Sequence, residues 1–285
     1  MNIAADTVVD GVPQVMINKG DKNVCRLCGG SVVPRFSLVV LQKYRVHYVQ
    51  CAACQSLQTE TPFWLDEAYQ NHNLSSLDTG AVQRNMHNLA ACYCLSKLFG
   101  VKNVLDIGGG DGLLCRMLRD YDINCYVKDK YASPVYAQGF TDHDFDKPDM
   151  VIGFEVLEHF ANPDAELDDL FVNDSKMFLL STSIYSGERE DWWYLSPESG
   201  QHVFFYSEKA MDLIAKKYGY TMIIQDGFIL FAKDASWLKK VIARLLLHER
   251  VCHLLKAFVV ILPARGVWKD HLFQVDKSRQ AQMQL

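Results

Sequence analysis

The stretch from Val104 to Gly112 constrains this chain more than any other. An apolar run, Val104-Leu105, leads into Asp106, and Gly108, Gly109, Gly110 and Gly112 follow almost at once. From Leu113 to Leu118 the pattern becomes helical. Glycine at such a turn lets the backbone enter left-handed conformations and lets a ligand approach where a Cβ would collide. A strand, a tight glycine turn and a helix together open a parallel α/β unit, and such units take nucleotide-like ligands at the carboxyl ends of their strands.

The next segments extend this pattern. Ile123 to Lys128 reads as a second strand ending at Asp129, a carboxylate 23 positions after Asp106 that can accept from ribose hydroxyls. A third, Asp149 to Phe154, runs into Glu155-Val156-Leu157-Glu158-His159. In these residues the sequence resembles the class I S-adenosylmethionine-dependent methyltransferases, whose glycine loop is commonly (D/E)-x-G-x-G-x-G and whose fourth strand often leads into E-x-L-E-H. Asp106, Gly108, Gly110 and Gly112 take the loop positions. The resemblance implies a Rossmann-like α/β fold with a seven-stranded sheet, S-adenosylmethionine as cofactor, Asp129 as its ribose ligand and Glu155 beside it. A dinucleotide fits less well. The two carboxylates and imidazole of Glu155 to His159 would stand where a pyrophosphate prefers backbone N–H groups. A sulfonium is cationic and tolerates them.

With 285 residues, 49% of them hydrophobic, the chain can bury a sizeable core. A net charge of -5 offers nucleic acid no global attraction. The first residues lack a basic region followed by an apolar one, and no segment has the roughly 18 to 20 apolar residues of a spanning helix, so a cytoplasmic protein is expected. Along the chain, residues 1–20 read as a flexible extension, 21–60 as a zinc ribbon, 61–100 as a helical connector and cofactor lid, 101–233 as the methyltransferase domain, and 234–285 as a helical C-terminal extension. The connector's helix should stop at Gly100. Late strands are expected at 176–182, 221–224 and 228–232, the last two as an antiparallel edge hairpin.

The ribbon rests on cysteine spacing. Cys25 and Cys28 form one C-x-x-C knuckle, Cys51 and Cys54 another, with 22 residues between them that include an alternating, hairpin-like stretch from Phe36 to Gln50. Two thiolates from each knuckle would close a tetrahedral shell around one structural Zn²⁺. The other five cysteines lie among apolar residues and read as small buried side chains.

The acceptor is addressed by the loop after the fifth strand. Trp192, Trp193, Tyr194, Pro197, Glu198, Gly200, Gln201 and His202 combine aromatic faces with hydrogen-bonding groups, a composition suited to a sugar ring. The segment also resembles the W-Y-x-x-P-E-x-G-Q-H stretch of methyltransferases of bacterial sugar and surface-polysaccharide biosynthesis, some of which carry an N-terminal zinc module. His202 is the candidate general base, with Glu198 as its orienting partner or as a ligand of a substrate hydroxyl. By resemblance, Arg84 is placed to pair with the methionine carboxylate of the cofactor, and Tyr69 to reach the acceptor pocket.

The reading is therefore O-methylation of a sugar hydroxyl, on a nucleotide sugar or a surface glycan. The segment after residue 233 is too short for the second α/β domain of long deoxysugar C-methyltransferases, so C-methylation is the alternative. RNA methylation would need a basic ribbon face, and residues 21–60 carry a net charge of +3. A non-catalytic binding module for glycan assembly is the third alternative. Residues 235–270 hold seven basic against two acidic residues, enough for peripheral contact with a membrane or a protein partner.

Overall fold

A computed structural model describes residues 24–70, 78–143 and 145–283. The expected flexible extension over 1–20 lies outside the described residues. The chain builds two sheets. The larger contains β4 (Asn103–Ile107), β5 (Asn124–Lys128), β6 (Met150–Phe154), β7 (Met177–Ser181), β9 (Thr221–Gln225) and β10 (Phe228–Ala232), in the order β5-β4-β6-β7-β10-β9. The pairs β4·β5, β4·β6 and β6·β7 are parallel, while β10 runs antiparallel to both β7 and β9. Strands covered on both faces are continuously apolar, which is why β6, β7 and β10 read as runs rather than alternations.

This is the doubly wound sheet expected, with one difference. Among the described residues it has six strands, because the stretch between β5 and β6 forms turns and irregular backbone instead of a seventh. The expected edge hairpin is present, with Phe228 paired to Gln225 across Asp226-Gly227.

The smaller sheet contains β1 (Val32–Val40), β2 (Tyr44–Cys51) and β3 (Leu57–Thr59), in the region expected to be a ribbon. Its fourth strand, β8 (Phe204–Phe205), comes from far along the chain and pairs with β3 through Leu57↔Phe205. The acceptor loop is therefore not a free insertion. A separate core of Val40, Val46, Tyr48, Leu57, Trp64, Tyr185, Tyr194, Leu195 and Phe205 fills the space between this sheet and the loop. Backbone bonds close the joint: Leu41 N–H donates to the Pro197 carbonyl (2.9 Å), Thr59 N–H to Val203 (3.0 Å), and Val203 N–H to Glu158 (2.8 Å).

Helices α1 (Leu65–Gln70) and α2 (Ala81–Phe99) lead into the large sheet. Gly100, at φ 67°, ends α2 where the sequence indicated, its N–H returning to the Ser96 carbonyl. Helices α3 (Leu113–Asp120), α4 (Pro163–Phe171) and α5 (Glu208–Tyr218) cross between strands. The C-terminal α6 (Trp237–Leu247), α7 (Glu249–Val260) and α8 (Arg265–Met283) pack against α2, α3 and β9. A buried ion cluster docks α8. Asp270 accepts from Arg119 Nε (2.7 Å) and Nη2 (2.8 Å) and from Arg116 Nη2 (2.7 Å), while the Arg119 guanidinium lies 3.6 Å from the Phe140 ring centre. Among the described residues no single helix is long and apolar enough to cross a membrane.

Candidate active site

The glycine turn after β4 forms the floor of the site. Gly108, Gly110 and Gly112 sit at φ 69°, 57° and 81°, a region that side-chain-bearing residues avoid. The turn packs closely at two points. A Cβ on Gly108 would lie 2.6 Å from Val156 Cγ2, and one on Gly109 would lie 2.5 Å from Asp106 Oδ2. At Gly110 nothing stands within 4 Å, so the turn is open to a ligand there. Gly109 was not among the motif positions read from the sequence; only the contact with Asp106 reveals its role.

Asp129, at the end of β5, is fixed by backbone donors. Its Oδ2 accepts from Gly110 N–H (2.9 Å), and its Oδ1 from the N–H groups of Tyr131 (2.7 Å) and Ala132 (2.8 Å). Beside it lies a cavity of about 440 Å³, lined by Leu105, Val127, Ala132 and Pro134 and by the polar residues Lys128, Asp129, Thr141, Asp142 and His143. Asp142 is a cavity carboxylate that the sequence reading missed, since it lies in irregular backbone without a recognisable spacing. Asp106 is buried and its Oδ2 has no hydrogen-bond partner. Burial, with the Asp129 charge nearby, pushes its carboxyl up to about 8.

These features fit S-adenosylmethionine. A buried orphan carboxylate suits a cationic group, an anchored carboxylate suits ribose, and a cavity that mixes apolar walls with hydrogen-bonding groups suits a base. Asp106, Asp129 and the open face at Gly110 would hold the cofactor, which supplies an electrophilic methyl group on a positively charged sulfur. Arg84 is engaged otherwise: its guanidinium makes a two-pronged pair with Asp78, Nη1 to Oδ1 at 2.9 Å and Nη2 to Oδ2. A cofactor carboxylate would have to displace Asp78.

The segment after β6 forms the opposite wall. Glu155 takes φ 55°, unusual for a residue with a side chain, and this conformation is secured by its N–H donating to Ser181 Oγ (3.0 Å). Its carboxylate accepts from Ser181 Oγ (2.7 Å) and from the Tyr194 hydroxyl (3.0 Å). Leu157–His159 then forms one 3-10 turn that aims Glu158 and His159 inward. Glu158 is fully buried with both oxygens unpartnered, and burial plus the Glu155 charge raises its carboxyl to about 8. His159 Nδ1 lies 3.0 Å from the Tyr69 hydroxyl, and burial, followed by the neighbouring His202, lowers its imidazole to about 3.

His202 joins this group, its ring centre 5.1 Å from that of His159. Its Nδ1 lies 2.7 Å from the Tyr194 carbonyl oxygen. A carbonyl only accepts, so Nδ1 carries the proton and Nε2 carries the lone pair. Burial lowers the pKa of this imidazole, keeping it neutral.

The expectation that Glu198 orients His202 is corrected here: the Tyr194 carbonyl does so, and Glu198 is exposed on the turn around Pro197. The turn directs its side chain away because the backbone of Pro197 and Gly200 is committed to Leu41 and to the indole N–H of Trp64. Tyr69 is brought to the site, stacked on Tyr131 at 3.9 Å between ring centres. Of the two tryptophans, Trp192 packs against Tyr185, Tyr194 and Phe205, whereas Trp193 is 77% exposed. Sequence reasoning missed Tyr131, Ser181 and the structural role of Tyr194; each acts through a contact distant in sequence.

The four cysteines of the two knuckles converge. Cys25 and Cys54 sulfurs are 3.6 Å apart, Cys28 and Cys51 sulfurs 3.5 Å, and all four lie within 4.8 Å of one another without a disulfide. A tetrahedral ion with sulfur ligands at about 2.3 Å spaces its sulfurs by about 3.8 Å, so the group could hold one.

Comparison with known proteins follows the same outline. No curated protein matches the sequence. Among solved structures, a Burkholderia thailandensis 1,6-didemethyltoxoflavin-N1-methyltransferase with bound S-adenosylhomocysteine aligns over 70% of this chain and 96% of its own, at 13% identity and a TM-score of 0.45. Human N-acetylserotonin methyltransferase in complex with the methyl donor covers 60% of this chain and 56% of its own, at 14% identity and a TM-score of 0.40. A small RNA methyltransferase covers 51% of this chain and 25% of its own, at 18% identity and a TM-score of 0.35. Likenesses this distant carry no argument about the acceptor. The family model for a methyltransferase domain matches residues 78–225, just over half of the chain and all of the cofactor floor described above, and the protein therefore belongs to that family, as an S-adenosylmethionine-dependent methyltransferase.

Proposed function

We propose that the protein transfers a methyl group to a hydroxyl of a sugar, carried by a nucleotide or a surface glycan, in the cytoplasm. The observation that carries this reading is the state of His202: Nδ1 is committed to the Tyr194 carbonyl, and Nε2 retains its lone pair beside Glu158 and His159. A sugar hydroxyl is a weak nucleophile near neutral pH and gains from a base that takes its proton as the new bond forms. The oxygen lone pair forms the C–O bond while the C–S bond breaks. Its electron pair stays on sulfur, and the proton goes to His202. The exposed Trp193 offers a face on which a sugar ring can stack, and the exposed Glu198 a carboxylate for a ring hydroxyl.

In this reading the four cysteines hold a structural Zn²⁺, and the ribbon's task is to hold the acceptor loop. Two observations support that: β8 is part of its sheet, and Arg26 Nη2 donates to the Val203 carbonyl (2.6 Å); the adjoining helix α1 adds a further bond, from Gln201 Nε2 to the Ala68 carbonyl (3.0 Å). The residues on both sides of His202 are thus clamped. Among the described basic residues of the ribbon, Arg26 is turned inward and Lys43 is paired with Glu67, leaving Arg35 and Arg45 exposed. The sugar reading is accordingly preferred to RNA.

The test is a screen of nucleotide sugars and glycans with isotope-labelled S-adenosylmethionine, followed by His202→Ala on the accepted substrate. The expected result is a loss of about 10²–10⁴ in kcat with S-adenosylhomocysteine affinity unchanged. Methylation of RNA with every sugar refused, or near-normal turnover in the variant, would overturn the reading.

A further inference from the structure

Two neighbouring groups at the acceptor side, with three polar atoms between them, lack partners they ought to have. Both oxygens of Glu158 and the Nε2 atom of His159 are buried without a hydrogen bond, and His202 presents an Nε2 lone pair beside them. One ligand atom from each residue lies within 4.8 Å of the others. Buried polar atoms left unpaired are costly and uncommon in folded proteins. Three that converge on one point indicate a missing guest rather than three separate defects.

We propose that Glu158, His159 and His202 bind a divalent transition-metal cation, distinct from any ion held by the four cysteines. The donor set is two imidazoles and one carboxylate, which suits manganese, iron, cobalt or zinc and leaves coordination positions open for another ligand. The remaining ring nitrogens are already oriented as ligating histidines require: His202 Nδ1 by the Tyr194 carbonyl, and His159 Nδ1 by the Tyr69 hydroxyl. An ion at about 2.0–2.2 Å from each ligand would draw the three side chains slightly together. Glu155, secured by Ser181 and Tyr194, adds negative charge one turn away.

The site goes beyond the function proposed above and changes how its proton is removed. With an ion bound, the His202 lone pair is committed, and the acceptor hydroxyl in an open position is acidified by the adjacent charge. Its proton then passes to water. The bonds formed and broken are otherwise unchanged, with the methyl group moving from sulfur to oxygen. Neighbouring hydroxyls of a sugar could fill two open positions together, which would select acceptors bearing a vicinal diol.

Manganese(II) tests this on the full chain, because it favours oxygen and nitrogen donors over the thiolate cluster. Electron paramagnetic resonance of zinc-loaded, chelator-washed protein is expected to show one bound Mn²⁺ per chain, with spin-echo modulation from imidazole nitrogen. Glu158→Gln and His159→Gln should each weaken binding at least tenfold, and Lys269→Ala, which breaks only an exposed pair with Asp122, should not. Absence of bound Mn²⁺, binding without nitrogen modulation, or binding unchanged in both variants would each overturn the proposal. The nitrogen signal belongs to the unmodified protein and stands even if a variant fails to fold. S-adenosylhomocysteine calorimetry on the same samples reports separately on methyl-donor binding.

Discussion

Two adjacent glycines in the cofactor floor should respond to the same substitution in opposite ways. At Gly109 an added Cβ meets Asp106 Oδ2 at 2.5 Å and Val127 Cγ2 at 2.7 Å, both in the packed interior. Gly109→Ala therefore overpacks a site that has no room to yield, a cost of about 1–3 kcal/mol. For a chain of 285 residues the unfolding entropy is about 0.6 kcal/mol per kelvin, so the melting temperature should fall by about 2–5 °C. At Gly110 the added atom meets nothing within 4 Å. There the cost to the fold is only that of φ 57° in a residue with a side chain, about 1 kcal/mol, or about 2 °C. The new methyl group instead occupies space the cofactor needs. Gly110→Ala should lose about 10-fold to 100-fold in S-adenosylhomocysteine affinity, or about 1.4–2.8 kcal/mol. Paired thermal melts and calorimetry check this. Should Gly110→Ala bind within twofold of the parent, the open face at Gly110 is not where the cofactor lies.

Four further outcomes are expected. Asp270→Ala strands the buried Arg119 without its carboxylate, although Asn124, the Cys125 carbonyl and Phe140 retain some of its contacts, so thermal melts should show a loss of about 3 kcal/mol, or about 5 °C. Lys269→Ala breaks only an exposed pair with Asp122 and should change stability by less than about 1 kcal/mol in the same melts. Because the Asp106 carboxyl is raised from 3.8 to about 8, the folded state holds a proton that the unfolded chain has lost across that interval. Its contribution to stability is therefore full below pH 3.8 and is lost as pH rises through about 8; melts of unliganded protein should fall across this window, and Asp106→Asn should flatten that slope. Stripping metal from the cysteine cluster, or Cys28→Ser, should loosen β3 and the paired β8. Turnover should then drop by at least tenfold while S-adenosylhomocysteine affinity changes less than threefold, and equal losses in both would show that the ribbon does more than hold the acceptor loop.

Local chemistry explains what could be read without coordinates. Strands buried on both faces betray themselves as apolar runs, a left-handed glycine stops a helix, and a C-x-x-C pair brings two thiols into reach over a single turn. The glycine turn, Asp129, the end of α2 at Gly100 and the pairing of the last two strands were legible for this reason. The strand count was not. Residues between β5 and β6 look much like a connecting segment with one further strand, and whether such a strand forms depends on edge pairing that no local pattern encodes.

The acceptor side divides in the same way. The identities of Glu158, His159, His202 and the aromatic loop were present in the sequence, the first two read on the cofactor side and the others on the acceptor side. Which atom orients His202 was not, because Glu198 and the Tyr194 carbonyl are both within a few residues and only the turn around Pro197 chooses between them. The sequence alone determined the chemistry available: a cofactor floor, a thiol cluster and a loop rich in aromatics and imidazole. The tertiary structure alone decided that β8 joins the ribbon sheet and that two histidines and a carboxylate share one buried point. Contacts spanning more than 40 residues depend on how whole elements pack, and side-chain identity by itself does not specify them.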